Sequence, residues 1–160
     1  MSANYKQLTE FQKKIERLNN EQKEQFLQAC CKELAARLLA KVIKRTPVGG
    51  WYTDENGEKQ RIKGYTGGTL RRGWTAGKGS NASEYANSLS ISHIGDKYHI
   101  DIINPVEYSS YVEYGHRTRN HTGWVKGHFM LTISETEIRN SSDRILQAKL
   151  NKFMKDVFNL

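Results

Sequence analysis

The sequence predicts an α+β fold, and three features of this 160-residue chain support that prediction. Apolar residues recur every three or four positions near both ends, which is the spacing of amphipathic helices. Two short runs between residues 86 and 103 alternate apolar and polar side chains, as half-buried strands do. We therefore expect a long N-terminal amphipathic helix and C-terminal helices packed on a small antiparallel β-sheet, with a long protruding loop.

The length fits a single domain spanning residues 1–160. Its N-terminal part should hold a first helix within residues 1–20 and a longer one from about 21 to 45. The Asn19-Asn20 pair offers an N-cap for the longer helix, and Pro47 disfavours helical geometry in the residue before it. The apolar stripe of the longer helix consists of Phe26, Leu27, Cys30, Leu34, Leu38, Val42 and Ile43.

Residues 46–68 are predicted to form an extended loop. The stretch is rich in glycine and charge and shows no hydrophobic period. Loops of this length inside a domain are usually functional or mobile, so we expect it to become ordered against a partner. A short hairpin with Asn56-Gly57 as its turn is possible within it.

Three strands are expected after this loop. Residues 69–78 are a candidate first strand. Residues 86–94 and 97–103 should form an antiparallel hairpin, because Gly95-Asp96 between them is a tight-turn sequence.

The C-terminal third is predicted to be mostly helical. A short helix over 106–114 should end at Gly115, since glycine is the preferred residue just past a helix end. Residues 116–126 are predicted to be a connection that leads to a helix over 128–139. A polar Asn-Ser-Ser-Asp run then predicts a cap and a restart, which gives a final helix over 140–160.

The composition limits the classes of function. The net charge of +8 favours an acidic partner such as nucleic acid, although solubility alone also explains it. No apolar stretch is long enough to span a membrane, so no membrane partner is expected. Cys30 and Cys31 are adjacent, which suits neither an ordinary disulfide nor a CxxC zinc site. We predict no cofactor, no metal site and no catalytic residues.

A histidine cluster leaves an alternative function open. His116, His121 and His128 lie close together in sequence, but their spacing fits neither a zinc site nor the ββα context of metal-finger nucleases. The alternative is a DNA-binding or metal-dependent nuclease accessory protein that uses these histidines and a basic loop. Basic and aromatic residues alternate around that loop, as phosphate contact and base stacking require. The candidate DNA-facing or lumen-facing residues are Lys59, Arg61, Lys63, Arg71 and Arg72.

Four motifs occur in a characteristic order. They are TPV at 46–48, GGTLRRGW at 67–74, NPVEYSSYVEYGHRTR at 104–119 and GWVKGHFMLTISETEI at 123–138. Together they resemble the small tail-component or neck protein family of long-tailed bacteriophages and phage-like particles. The long insertion between Val48 and Gly67 and the sequence Gly-His-Phe-Met at 127–130 depart from the family pattern.

The resemblance implies a structural virion protein and not an enzyme. Proteins of this kind act in tail completion or tail termination and form rings, typically hexamers, that join the tail tube to the head connector and let DNA pass. The implied partners are further copies of the chain, the tail tube protein, the connector or stopper proteins, the sheath where the tail is contractile, and phage DNA without sequence preference. The implied location is the neck or tail of a virion assembled in the host cytoplasm.

In such a ring, the residues around these histidines would supply hydrogen-bonding and apolar groups at a contact between subunits. Arg117 and Arg119 are expected to pair with Glu135 or Glu137 of a neighbour. The candidate interface residues are Tyr111, Tyr114, His116, Arg117, Arg119, Trp124 and Phe129.

Overall fold

The computed structural model describes Lys13, Glu16, residues 20–79 and residues 81–158. Most of the helix predicted within residues 1–20 lies outside the described residues. The described elements, in chain order, are α1 (Asn20–Arg45), β1 (Trp51–Thr53), β2 (Lys59–Arg61), α2 (Thr69–Gly73), α3 (Ala82–Ser88), β3 (Ser92–Ile94), β4 (Lys97–His99), α4 (Ser109–Tyr114), β5 (Gly115–Arg117), β6 (Trp124–Lys126) and α5 (Met130–Phe158).

The α+β class is confirmed. The strands are divided among three antiparallel hairpins, β1–β2, β3–β4 and β5–β6. The hairpin predicted around Gly95-Asp96 is present, with Ser92 opposite His99 and Ile94 opposite Lys97. Its strands are shorter than predicted, because the chain before β3 is helical and residues 100–106 have no strand partner in the described part of the chain.

The strand predicted over 69–78 was wrong, since this segment begins with helix α2. Leu70, Gly73 and Trp74 are buried while Arg72 is exposed, which is a helical spacing and not the two-residue period of a strand. Gly73 leaves no room for a side chain, because a Cβ there would lie 2.2 Å from the Asn104 Oδ1 atom. The helix therefore packs directly against residues 104–106.

The strand predicted over 86–94 was wrong in its first part, where α3 forms. Asn81 and Glu84 make a capping box at the start of α3: the Asn81 side chain accepts the Glu84 N–H at 2.9 Å, and the Glu84 carboxylate accepts the Asn81 N–H. Ala86 is fully buried against the core. Because of this cap the segment forms a helix, although its apolar–polar alternation predicted a strand.

The break predicted at residues 140–143 is also absent, and α5 runs without interruption to Phe158. The Ser141 hydroxyl donates to the Glu137 carbonyl at 2.8 Å, and the Ser142 hydroxyl donates to the Arg139 carbonyl at 2.8 Å. Serine side chains that bond back to the preceding turn are compatible with a continuing helix. The C-terminal helix therefore begins at Met130 and not at residue 140.

The core lies where α1 meets α2, α3 and α5. Its fully buried side chains include Leu39, Val42, Ala86 and Met130. No helix in the described part of the chain combines the length and the hydrophobicity of a transmembrane span.

Helices α1 and α5 are also joined by polar contacts. The Arg45 guanidinium donates to the Ser134 hydroxyl and to the Glu137 carboxylate, both at 2.7 Å. Lys41 donates to the other Glu137 oxygen at 2.7 Å. The hydrogen bond from Lys41, followed by that from Arg45, holds the pKa of Glu137 below its usual value. Glu137 is therefore engaged within the chain, whereas the one ion pair of Glu135 among the described residues is with the exposed Arg139 one turn later.

Thr46, at the end of α1, ties the core to α2. Its hydroxyl is fully buried, donates to the Val42 carbonyl at 2.6 Å and accepts the Trp74 indole N–H at 2.8 Å. Its carbonyl accepts two bonds from the Arg71 guanidinium, at 2.6 and 3.1 Å. The TPV motif therefore ends α1 and supplies the partner that the buried indole needs.

We predict that Thr46→Val destabilises the fold by about 2 kcal/mol, because the buried Trp74 N–H would lose its acceptor. Thr46→Ser keeps the hydroxyl and should cost less than Thr46→Val. Denaturant unfolding followed by tryptophan fluorescence measures both. Equal losses for Thr46→Val and for Thr53→Val, on an exposed strand, would refute this role for the hydroxyl.

Candidate subunit-contact surface

Residues 116–126 form a β-hairpin, so the prediction of a plain connection was wrong. His116 lies opposite Val125, and Arg117 lies opposite Trp124. Thr118 organises the loop: its N–H donates to the Gly123 carbonyl at 3.0 Å, and its hydroxyl accepts the Gly123 N–H at 3.0 Å. Strands of three residues without alternation gave no period-two signal in the sequence.

Glu113 fixes α4 against the start of α5. Glu113 is 5% exposed, and its carboxylate accepts the backbone N–H groups of Leu131 and Thr132, each at 2.9 Å, and the Thr132 hydroxyl at 2.7 Å. The first N–H groups of a helix have no partner within the helix, and a negative charge there is also favoured by the helix dipole. This carboxylate therefore acts as the cap of α5, although it lies far from α5 in sequence. We refer to these contacts as the Glu113 latch.

The backbone of the segment between β6 and α5 is also hydrogen-bonded to α4. The N–H groups of His128 and Phe129 donate to the carbonyls of Val112 and Glu113, at 2.8 and 3.0 Å. These carbonyls belong to the last turn of α4, where no later residue of the helix can bond them. Phe129 has a φ of 47°, an uncommon value for a residue other than glycine. Phe129 immediately precedes α5, which begins at Met130, and it is half-buried.

Two glycines allow the hairpin to lie directly on α4. A Cβ on Gly127 would lie 2.3 Å from the Glu113 carbonyl oxygen and 2.5 Å from the Tyr114 carbonyl carbon. Gly115 follows α4 with a φ of 86°, and a Cβ there would lie 2.4 Å from the Val125 carbonyl oxygen. The prediction that α4 ends at Gly115 is confirmed, and the same glycine begins β5.

The surface of this unit carries large aromatic side chains. Tyr111, Tyr114 and Trp124 are 57%, 60% and 63% exposed. The His116 ring lies edge-on to Tyr111, with the ring centroids 5.8 Å apart. We call Tyr111, Tyr114, His116, Arg117 and Trp124 the α4–hairpin patch. The structure thus places five of the seven predicted interface residues on α4 and on the two strands of the hairpin that follows it.

The two other predicted interface residues lie at the borders of the patch. Arg119 is exposed in the hairpin loop, and half-buried Phe129 joins the hairpin to α5. The sequence has no acidic residue between Glu113 and Glu135, so the charged residues of the hairpin are all basic. Beside the patch, a largely apolar groove of about 240 Å³ is lined by Ile102, Ile103, Tyr114 and Met130, among others.

The predicted DNA-facing residues occupy two different places. Lys59 and Arg61 lie on β2, and Lys63 is exposed just after it. The Arg61 guanidinium lies over the Trp51 ring, 5.9 Å from its centroid. Arg71 and Arg72 lie on α2, where Arg71 is bonded to the Thr46 carbonyl and Arg72 is exposed. Arg71 therefore has a role within the fold that the sequence did not reveal.

The loop predicted over 46–68 contains the β1–β2 hairpin that Asn56-Gly57 made possible. Its turn is a three-residue loop in which Gly57 has a φ of 81°. The Asp54 carboxylate accepts the N–H groups of Asn56 and Glu58 and the amide of Gln60. The bond from Gln60 and then that from the Glu58 N–H lower the pKa of Asp54.

The histidines do not converge on a metal-binding arrangement. Among the described residues, no three His, Cys, Asp or Glu side chains are grouped as metal ligands. His116 faces Tyr111, while His121 adopts a φ of 57° in the hairpin loop. Both histidines belong to the β5–β6 hairpin, His116 to its first strand and His121 to its loop.

We predict that Gly127→Ala destabilises the chain by about 3 kcal/mol, because its methyl group would meet backbone atoms of α4 that cannot move aside cheaply. Gly123→Ala in the same hairpin is the matched control, since a Cβ there finds only ordinary contacts of 3.5 Å or more. Thermal unfolding of both variants tests the close approach. Equal melting temperatures would contradict it.

We also predict that Glu113→Ala costs about 2 kcal/mol, because two N–H groups at the start of α5 would lose their acceptor. Glu107→Ala removes an exposed carboxylate just before α4 and should change stability by less than about 0.5 kcal/mol. Denaturant midpoints of the two variants give the comparison. The latch would be disproved by a Glu113→Ala midpoint as high as that of Glu107→Ala.

Comparison with known proteins identifies a family that matches the N-terminal two thirds of the chain. The family described as "Bacteriophage HK97-gp10, putative tail-component" matches residues 9–115, which is about two thirds of the chain. The match ends at the first residue of β5, so the rest of the hairpin and α5 lie beyond it. No curated protein and no solved structure matches the chain. The chain therefore belongs to the HK97 gp10-like family and is a structural component of a bacteriophage tail.

Proposed function

We propose that the chain forms a homo-oligomeric ring, a hexamer, that completes or terminates the phage tail. The ring would join the tail tube to the head connector or stopper proteins and leave a passage for DNA. Its action is mechanical, so no catalytic step is required of it. Its place is the neck of the virion, after assembly in the host cytoplasm, with the sheath as a further neighbour in a contractile tail.

The observation that carries this proposal is the α4–hairpin patch. Three aromatic side chains, each more than half exposed, lie on α4 and on β6 of the hairpin that packs against it. Exposed apolar clusters of this kind mark surfaces that another protein covers, and aromatic and arginine side chains contribute most to such contacts. The Glu113 latch and the two close-packed glycines hold the patch rigidly, which lowers the entropic cost of binding.

The β1–β2 hairpin supports passage of DNA through such a ring. Lys59, Arg61 and Lys63 are exposed in one short hairpin and the turn after it. Positive charge along a passage would attract and guide a polyanion without reading its sequence. The accessory-nuclease alternative has less support, because the described histidines do not group into a metal site.

We predict that Tyr111→Ser with Trp124→Ser raises the concentration needed for half-assembly by about thirtyfold or more, as expected for the loss of central aromatic contacts. Mass photometry and native mass spectrometry over a concentration series measure the oligomer. Both side chains are exposed, so the variant should keep the wild-type circular dichroism spectrum.

Ile94→Ser is the matched control, since Ile94 is 65% exposed on a different hairpin and lies outside the patch. It should assemble like the wild type. A wild-type chain that stays monomeric at high concentration and with tail tube protein added would refute the ring. A monomer that cleaves DNA with added divalent metal would favour the nuclease alternative.

A further inference from the structure

Residues 101–103 alternate in exposure as a strand does, but no strand in the described part of the chain pairs with them. The exposure of their side chains alternates: Ile100 and Ile102 pack against the core, while Asp101 and Ile103 point outward. Among the described residues, no hydrogen bond reaches the backbone N–H or C=O groups of Asp101, Ile102 or Ile103. The sequence predicted a strand over 97–103, yet the paired strand β4 ends at His99. An unpaired edge of this kind is a template for strand addition.

The β1–β2 hairpin has an open edge as well. The Ile62 N–H bonds the Gly50 carbonyl, and the Asp54 N–H bonds the Glu58 carbonyl. Hydrogen-bonded and non-bonded pairs alternate in an antiparallel ladder, so Lys59 and Arg61 belong to non-bonded pairs. Their N–H and C=O groups therefore point outward from β2. None of the strand residues of this hairpin is buried, and an isolated two-stranded hairpin is only marginally stable.

The two edges are complementary in charge and in hydrophobicity. Opposite pairing places Trp51 with Arg61 and Thr53 with Lys59 on one face of the hairpin. On the other edge, Asp101 is exposed and makes no ion pair among the described residues, and Ile103 beside it is 65% exposed. If the two edges met, the Asp101 carboxylate would lie beside Lys59 and Arg61. The exposed Ile103 would lie beside the face of the hairpin that carries Trp51.

We propose that β2 of one protomer pairs, backbone to backbone, with residues 101–103 of the next copy in the ring. The inference rests on the proposed ring and names one of its contacts. The two edges lie on different parts of the chain, so each copy would use one edge toward each neighbour. Such a heterologous contact closes into a ring when its rotation fits. The result is a three-stranded sheet made of β1 and β2 from one copy and residues 101–103 from the next.

A charge-swap series on the full chain tests this contact. Asp101→Arg should raise the concentration for half-assembly by about tenfold or more, because it places like charges across the edge. Adding Lys59→Asp and Arg61→Asp to the same chain should restore assembly toward the wild-type concentration. All three side chains are exposed, so folding should be unaffected, which circular dichroism checks.

Lys126→Asp is the control for position, since Lys126 is exposed on β6 of the other basic hairpin. Combined with Asp101→Arg it should restore nothing. Rescue by Lys126→Asp in place of the β2 changes would overturn the proposal, because the partner strand would then be β6. Wild-type assembly by Asp101→Arg alone would overturn it too. In both cases the ring itself would stand.

Amide hydrogen exchange supplies an independent measurement. In the assembled wild type, the amides of Lys59 and Arg61 should exchange at least about tenfold more slowly than in the dissociated Asp101→Arg chain. The same slowing should reach one of the two amides of Ile102 and Ile103, since adjacent N–H groups point to opposite edges of the segment. Equal rates in the two states would overturn the strand pairing. A wild-type chain that never leaves the monomeric state would overturn the ring and this contact together.

Discussion

The Glu113 latch is the interaction on which the C-terminal part of the structure depends. Two backbone N–H groups and one hydroxyl converge on a carboxylate that is almost fully buried. The negative charge is placed where the dipole of a 29-residue helix favours it most. Because the carboxylate belongs to α4 and the N–H groups to α5, this contact holds the start of α5 against α4. The hairpin between them has to fit into the remaining space, which explains why Gly115 and Gly127 lie so close to backbone atoms.

The contact between α4 and α5 also determines how the β5–β6 hairpin is held on the surface. The hairpin does not contribute to the core, as all three residues of β6 are exposed. Trp124 on β6 is therefore positioned by the backbone of the hairpin and not by burial. An exposed aromatic surface that contributes little to the stability of one chain agrees with our proposal that neighbouring subunits cover it in the tail. The rest of the chain follows the usual pattern, with apolar side chains of α1 packed on α2, α3 and α5.

The β1–β2 and β5–β6 hairpins share an arrangement. In each, a tryptophan lies directly opposite an arginine: Trp51 with Arg61, and Trp124 with Arg117. Both place a lysine on the same face. The β3–β4 hairpin has no such tryptophan–arginine pair, and the unpaired residues 101–103 follow it. A ring in which open edges of one copy meet open edges of the next would satisfy backbone groups that a single chain leaves to solvent.

The sequence by itself determined the elements that depend on local patterns: the long helix α1 and its end at Thr46-Pro47, the turn at Gly95-Asp96, the end of α4 at Gly115 and the family. Only the tertiary structure decided between helix and strand at residues 69–73 and 82–88, where local alternation was outweighed by burial against α1 and by a capping box. It also turned the expected connection at 116–126 into a hairpin and gave Arg71, Thr46 and Glu113 their roles. Each of these roles depends on a partner at least 18 positions away, and no local pattern records which distant backbone groups will need an acceptor or a donor once the helices pack.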